Sequence, residues 1–268
     1  MKMFKLFFVG ILFFYICVLL FMYIFQRSFM YHPNIKNTDK TEILFNYEEV
    51  FINSEENIKL KSWFSSNSIN KKTILFLHGN AGELSARVYK LNKLKDLNLN
   101  FLIISWRGFS GNNGKPTERG LYNDAIKAVD WLEKKGIDKK DIILYGESLG
   151  TGVAVELASK KDYFGVILES PYTSMVDMGK RFYPFLPISI LQRDRYNSIQ
   201  KIKKVKTPIL VLHGKADLLV PFYMGKKIYE IANQPKYFYF PNFDNHMMAY
   251  DANMLKALSD FVNKISKK

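Results

Sequence analysis

Cysteine is nearly missing from this chain, whose 268 residues hold one, Cys17, inside an apolar N-terminal stretch. Everything downstream lacks a thiol, which excludes disulfides and cysteine catalysis there and fits either redox compartment. Tyr15 and Ile16 precede Cys17, so it does not sit in a lipoprotein cleavage context. Histidine is scarce too: His32, His78, His213 and His246 are the whole supply of imidazole bases. The chain has no internal repeat and no long Pro/Ser-rich linker, and the polar patch from Ser65 to Lys72 is short enough to be a strand-to-strand loop. Acid is outnumbered by base, with a net charge of +14, yet no nucleic-acid fold signature accompanies it. The lysines are scattered over Lys71-Lys72, Lys134-Lys135, Lys139-Lys140 and Lys201 to Lys206. Such a surface suits anionic lipid headgroups, at about 1 kcal/mol per nearby lysine, or plain solvation of helix faces. Nucleic acid is not an expected partner, and no feature calls for an obligate protein partner.

What the chain does have is one long apolar run. Leu6 to Phe25 are 20 residues without a charge, enough as a helix to cross the roughly 30 Å hydrocarbon core of a bilayer. A cleaved signal has a shorter apolar stretch and small residues at the cut, which Phe25-Gln26-Arg27-Ser28-Phe29 lacks. Residues 1–30 therefore read as an uncleaved transmembrane anchor, and 31–268 as one catalytic domain. Lys2 and Lys5 before the run and Arg27, Lys36 and Lys40 after it do not decide the orientation. The very short tail favours a cytoplasmic N-terminus, so the expected topology is single-pass with the domain outside the cytoplasm.

Beyond the anchor the hydrophobic pattern alternates between strand-like and helix-like segments. Strands are expected at 43–52, 58–64, 73–78, 101–105, 141–145, 164–169, 208–213 and 236–240. Helices are expected at 83–97, 118–135, 149–160, 222–233 and 252–265. The first two strands alternate in polarity, as antiparallel strands do. The rest specify an α/β fold with a mostly parallel sheet covered on both faces. Thr117 is a good N-cap for the second helix. The cap-like insertion, about 170–207, brings Tyr172, Met175, Met178, Phe182, Tyr183, Phe185 and Leu186 as candidates for an apolar cover, and Pro184 and Pro187 exclude one long lid helix.

The segment Gly146-Glu147-Ser148-Leu149-Gly150 joins an apolar strand to a helix, the setting of a nucleophile elbow, in which a serine is thrust clear of the sheet edge. Ser148 is the expected nucleophile. Serine needs a base, and the base needs an acid to hold its tautomer. His78 and His213 end apolar runs and read as turn supports. His246 falls in a polar loop between the last strand and the last helix, where it can reach the sheet edge. Asp217 follows the strand 208–213, and the order Ser148, Asp217, His246 is that of an α/β-hydrolase triad. Glu169, at the end of the preceding strand, is a rival acid, and Asp244 reads as a loop-shaping residue. For the oxyanion, the amide of Leu149 is one expected donor. The His78-Gly79-Asn80-Ala81-Gly82 loop supplies the other, Asn80 first and Ala81 adjacent. Arg107 reads as a structural strand-end residue that can also face the pocket.

Six collinear blocks carry a family resemblance: HGNAGE (78–83), SWRGFSGNNGKPTERGLYNDA (105–125), GESLGTGVAVELA (146–158), ESPYTSM (169–175), HGKADLLVP (213–221) and the Asn245-His246 loop. Together they resemble the Bem46-type α/β-hydrolases, whose relatives include the animal ABHD13 and ABHD17 groups, over nearly everything after the anchor. The resemblance implies a Ser148, Asp217, His246 triad, frequent membrane tethering, and substrates among lipid, lysolipid or acyl-protein esters. Relatives often have an acid just after the catalytic histidine, whereas Met247 and Met248 stand here. The expected activity is a membrane-anchored serine hydrolase acting on ester or thioester bonds, with no metal and no organic cofactor required. A peptidase or acyl-protein thioesterase on the same residues, and a catalytically silent binding module, are the alternatives.

Overall fold

The chain is described by a computed structural model, in which residues 2–33, 41–66 and 72–267 are described. The loop expected at Ser65 to Lys72 falls mostly outside them, as do Lys36, Lys40 and Lys71.

Among the described residues a single sheet of eight strands runs in the order β1-β2-β4-β3-β5-β6-β7-β8. Its strands are β1 (Glu48–Asn53), β2 (Lys59–Ser65), β3 (Thr73–Leu77), β4 (Asn100–Ile104), β5 (Ile142–Glu147), β6 (Gly165–Glu169), β7 (Ile209–Leu212) and β8 (Lys236–Tyr239). β1 pairs with β2 and β2 with β4 in antiparallel fashion, and every other pairing is parallel. The central strands β3 to β7 are buried at every position because helices cover both faces, and most of their residues are apolar. In β3, Leu75 and Leu77 enter one core layer while Ile74 and Phe76 enter the other, the two-residue period of a strand seen from both sides.

The helices are α1 (Lys2–Met30), α2 (Val88–Leu94), α3 (Glu118–Lys134), α4 (Leu149–Ala158), α5 (Met175–Phe182), α6 (Ile188–Leu191), α7 (Ser198–Lys201), α8 (Phe222–Ile231) and α9 (Ala252–Ser266). α3, α4 and α8 bury apolar residues in the first layer, α2 and α9 in the second. α9 does so through Met254, Leu258, Phe261 and Ile265, at helical spacing, and begins at Asp251, whose carboxylate takes the Met254 N–H at 2.8 Å. Thr117 caps α3 as expected, accepting the Gly120 N–H at 2.9 Å.

Two expectations are corrected. Residues 43–47 do not extend β1, which starts at Glu48. Their backbone is held by a side chain instead: Asn92 on α2 accepts the Leu44 N–H and donates to the Glu42 carbonyl, and Phe45 packs on Phe101. The helix expected at 83–97 is α2 flanked by two 3-10 turns, at 84–87 and 95–97. Across the insertion the chain makes three short helices, α5, α6 and α7, and Pro184 and Pro187 fall in the break between the first two.

α1 is 29 residues long, reaches a mean hydropathy of 2.7 over an 18-residue stretch and buries none of its residues fully. Among the described residues it is the one helix long and apolar enough to cross a membrane.

Candidate active site

Ser148 stands between β5 and α4 with φ 48° and ψ −113°, a left-handed backbone that non-glycine residues seldom adopt. The turn is locked from three directions. The Ser148 N–H donates to the Glu169 carbonyl at 2.9 Å, and the Ser148 carbonyl accepts from the Thr151 N–H and hydroxyl. Two glycines make the turn possible by absence of bulk. A Cβ on Gly150 would lie 1.8 Å from the Leu77 carbonyl oxygen, and one on Gly146 would lie 2.6 Å from the backbone of Gly150 and Thr151.

His246 comes to Ser148 from the loop between β8 and α9. Its Nε2 is 3.0 Å from Ser148 Oγ, and its Nδ1 is 2.8 Å from Asp217 Oδ2. With the proton on Nδ1, Nε2 keeps its lone pair for the serine hydroxyl. Asp217 is itself held by the Leu219 and Val220 N–H groups, both 2.9 Å from Oδ1, and by His213, whose Nε2 is 3.3 Å from Oδ2. Burial alone would raise the Asp217 pKa. Hydrogen bonds from His213, His246 and Val220 outweigh that and hold the carboxyl well below the usual carboxylate range.

The rival acids are engaged elsewhere. Glu169 is buried against Lys90 (2.7 Å), Tyr145 (2.9 Å) and Tyr250 (2.5 Å). Asp244 shapes the histidine loop: its carboxylate takes the Ala249 N–H, and its carbonyl takes the Ala216 N–H and so ties this loop to that of Asp217. Arg107 is buried on Asp124 through a forked ion pair as close as 2.8 Å.

The Leu149 N–H is the first of α4 and has no carbonyl four residues back within the helix. Asn80 sits across the cleft in a loop fixed by its own side chain, which donates to the Met30 carbonyl at 2.9 Å. Ser148, Leu149 and Asn80 line one cavity of about 350 Å³, within the range of small-ligand pockets, roughly 300–1,000 Å³. Of the cap residues expected to cover it, Tyr172, Met175, Met178, Phe182 and Tyr183 do line it. Phe185 instead points outward, 67% exposed, and Leu186 packs in a small apolar cluster with α1. Sequence reasoning missed the opposite wall, made by Met22, Gln26, Phe29, Met30 and His32. It also missed the part His213 plays in holding Asp217.

Beneath the elbow lies a buried ionic cluster. Arg87 holds Glu147 at 3.1 Å and also donates to the Ala81 carbonyl, and Lys90 reaches Glu147 (3.4 Å) and Glu169 (2.7 Å). Burial would raise the Glu147 pKa, but Arg87 and Lys90 drive it below the ordinary carboxylate range. His78, fully buried, has its pKa pushed down to about 3 by desolvation and by Arg87.

A strained serine at a strand-to-helix turn, on a mostly parallel sheet wrapped by helices, defines an α/β-hydrolase. The chain belongs to the prolyl oligopeptidase family, whose model matches residues 107–263. It is 33% identical over 223 residues to the uncharacterised protein Rv2307c of Mycobacterium tuberculosis, covering 82% of this chain and 79% of that one. It is 34% identical over 196 residues to the lysophosphatidylserine lipase ABHD12 of Danio rerio, covering 66% of this chain and 50% of that lipase. The Pyrococcus furiosus esterase Pf2001 shares the fold, with a TM-score of 0.72 at 22% identity, covering 88% of this chain and 99% of that structure. The protein is thus a serine hydrolase by family and fold.

Proposed function

We propose that the protein is a membrane-anchored hydrolase of the Bem46-type group that cleaves carboxylic ester or thioester bonds of acyl, lipid-type substrates. The observation that carries this is the unbroken chain from Ser148 Oγ through His246 to Asp217, with links of 3.0 and 2.8 Å. In the forward step His246 Nε2 takes the hydroxyl proton while Ser148 Oγ attacks the acyl carbon. The amides of Leu149 and Asn80 stabilise the oxyanion, and the ionised Asp217 stabilises the imidazolium. His246 then gives its proton to the departing alcohol or thiol. Water repeats the sequence on the acyl-enzyme and frees the acid. No step requires a metal or an organic cofactor. In this reading residues 1–30 are a single-pass anchor, 31–268 the catalytic domain with its cap at about 170–207, and the domain lies outside the cytoplasm.

The lining of the cavity, mostly apolar although Gln26, His32, Asn80, Ser148 and Gln192 also face it, supports an acyl chain over a peptide. The family match supports the second reading, a peptidase or acyl-protein thioesterase on the same residues. A fluorophosphonate probe is expected to label the wild type and not Ser148→Ala. Turnover of p-nitrophenyl esters of graded chain length is expected to exceed that of peptide p-nitroanilides. Labelling that persists in Ser148→Ala contradicts the proposed nucleophile, and faster peptide turnover favours the second reading.

A further inference from the structure

α1 is built into the hydrolase along one stripe. Tyr15, Val18, Leu19, Met22, Gln26 and Met30 recur every three or four residues, so they share a helix face. The Tyr15 hydroxyl donates to the Phe185 carbonyl at 3.0 Å. Val18, Leu19 and Met22 pack on Val176, Leu186 and Ile188 of the cap. Gln26 donates to the Leu191 carbonyl (3.1 Å) and accepts the Arg193 N–H (2.8 Å), and Arg27 makes a forked pair with Asp194 at 2.7 and 3.0 Å. Just past the helix, the His32 N–H donates to the Asn80 carbonyl at 2.8 Å and the Gly82 N–H to the His32 carbonyl. The helix is therefore fastened to the cap on one side and to the proposed oxyanion loop on the other.

That fastening sets a depth. If Leu6 to Phe25 fill the hydrocarbon, Tyr15 lies ten residues, or roughly 15 Å, inside it. Sliding the helix until Met3 to Met22 fill it still leaves Tyr15 seven residues, about 10 Å, below the surface. The cap segment that Tyr15 touches must follow it down. The surface is suited to this. Phe182, Phe185 and Ile190 on the cap are 49%, 67% and 82% exposed, and Leu218, Phe243 and Met247 on the two loops that carry Asp217 and His246 are 84%, 93% and 56% exposed. Arg181 ties the two groups together through the Leu218 carbonyl at 3.1 Å. Large apolar side chains exposed together in this way mark an interaction surface. Here the partner already in contact is the membrane that α1 enters. Met22 lies within the apolar run and also lines the Ser148 cavity, so the cavity wall reaches into the same leaflet.

We propose that the rim of the cleft is seated in the leaflet and that α1 forms one wall of a lateral portal, through which the acyl chain of a membrane-resident amphiphile reaches Ser148 without crossing water. The occupant is lipid hydrocarbon, and the substrate is an ester or thioester with its acyl chain in the bilayer. The substrate half of this inference rests on the hydrolase reading above.

The test uses the full chain in phosphatidylcholine vesicles. In a Cys17→Ser background, Phe185→Cys and Leu218→Cys carry an environment-sensitive fluorophore, with Phe51→Cys on the far edge strand as reference. Acyl-chain nitroxide lipids are expected to quench residues 185 and 218 and not 51, and aqueous iodide to do the reverse. Iodide quenching at all three positions would overturn the seating whatever the activity. Met22→Trp is expected to lower the ratio of kcat/KM for p-nitrophenyl laurate to that for p-nitrophenyl butyrate at least tenfold, while Met22→Leu keeps the wild-type ratio. An unchanged ratio in Met22→Trp would overturn the wall assignment. The seating pattern without any ester turnover would support the docking and overturn the hydrolase reading instead.

Discussion

Lys90 offers the sharpest test of how the elbow is supported. Its ammonium, on a side chain 4% exposed, bridges Glu169 and Glu147, which are 0% and 7% exposed. With Arg87 the cluster holds two positive and two negative charges and is neutral as a whole. Lys90→Met keeps most of the aliphatic stem and removes one charge, leaving a net negative charge buried under Ser148. Breaking one partner out of a buried pair costs about 3–5 kcal/mol, mainly because the survivor is uncompensated. For a chain of this size that corresponds to a loss of very roughly 6–20 °C in Tm, at about 2–4 °C per kcal/mol. Urea unfolding of the full chain in detergent, followed by the fluorescence of Trp63, Trp106 and Trp131, reads the difference. Lys90→Met combined with Glu169→Gln is neutral again, and the amide still bonds to Tyr145 and Tyr250. It is expected to be more stable than Lys90→Met alone by at least about 2 kcal/mol. A single substitution costing under about 1 kcal/mol, or strict additivity in the pair, would refute the reasoning.

Asp217→Asn leaves shape intact but cannot stabilise the imidazolium, so kcat for p-nitrophenyl esters is expected to fall by about 10³–10⁴, the loss seen for such acids in serine proteases; a fall of less than tenfold would contradict the role. Gly150→Ala puts a methyl 1.8 Å from the Leu77 carbonyl oxygen and is expected to yield no soluble, cooperatively unfolding protein by circular dichroism. Stability should depend on pH in two stages. His78 is held neutral down to about pH 3 when folded but takes a proton below about pH 6.5 when unfolded, so stability declines as pH drops through that window. Asp217 and Glu147 have lowered folded pKa values, so their stabilisation is complete above the unfolded values, roughly 3.9–4.3, and is lost as pH falls below them. Tm measured from pH 7.5 to 3 should show both stages, and the upper one should shrink in His78→Gln.

Much of this was legible in the residues because it is local. A strand, a serine between glycines and a helix are adjacent in sequence, and so are Thr117 and the helix it caps. The chain order of Ser148, Asp217 and His246 follows from which loops leave the carboxyl ends of β5 and β7 and which follows β8. What was not legible depends on direction and on distant partners. Position alone left Glu169 a rival of Asp217, since both end parallel strands; the residue that removes it is Lys90, 79 positions away. Residues 43–47 have strand-like polarity, yet one asparagine on α2 captures their backbone. The docking face of α1 was hidden because hydropathy is uniform around that helix. Its visible signal was Tyr15 and Gln26, eleven positions apart and so on one face of a mostly apolar helix.

The most direct measurement is a crystal structure of the protein after reaction with an alkyl fluorophosphonate. Phosphorus should be bonded to Ser148 Oγ, with its phosphoryl oxygen about 3 Å from the amide nitrogens of both Leu149 and Asn80, a normal hydrogen-bond length. An adduct on another residue, or a phosphoryl oxygen turned away from both amides, would contradict the assignment of this cleft as an acyl-transfer site.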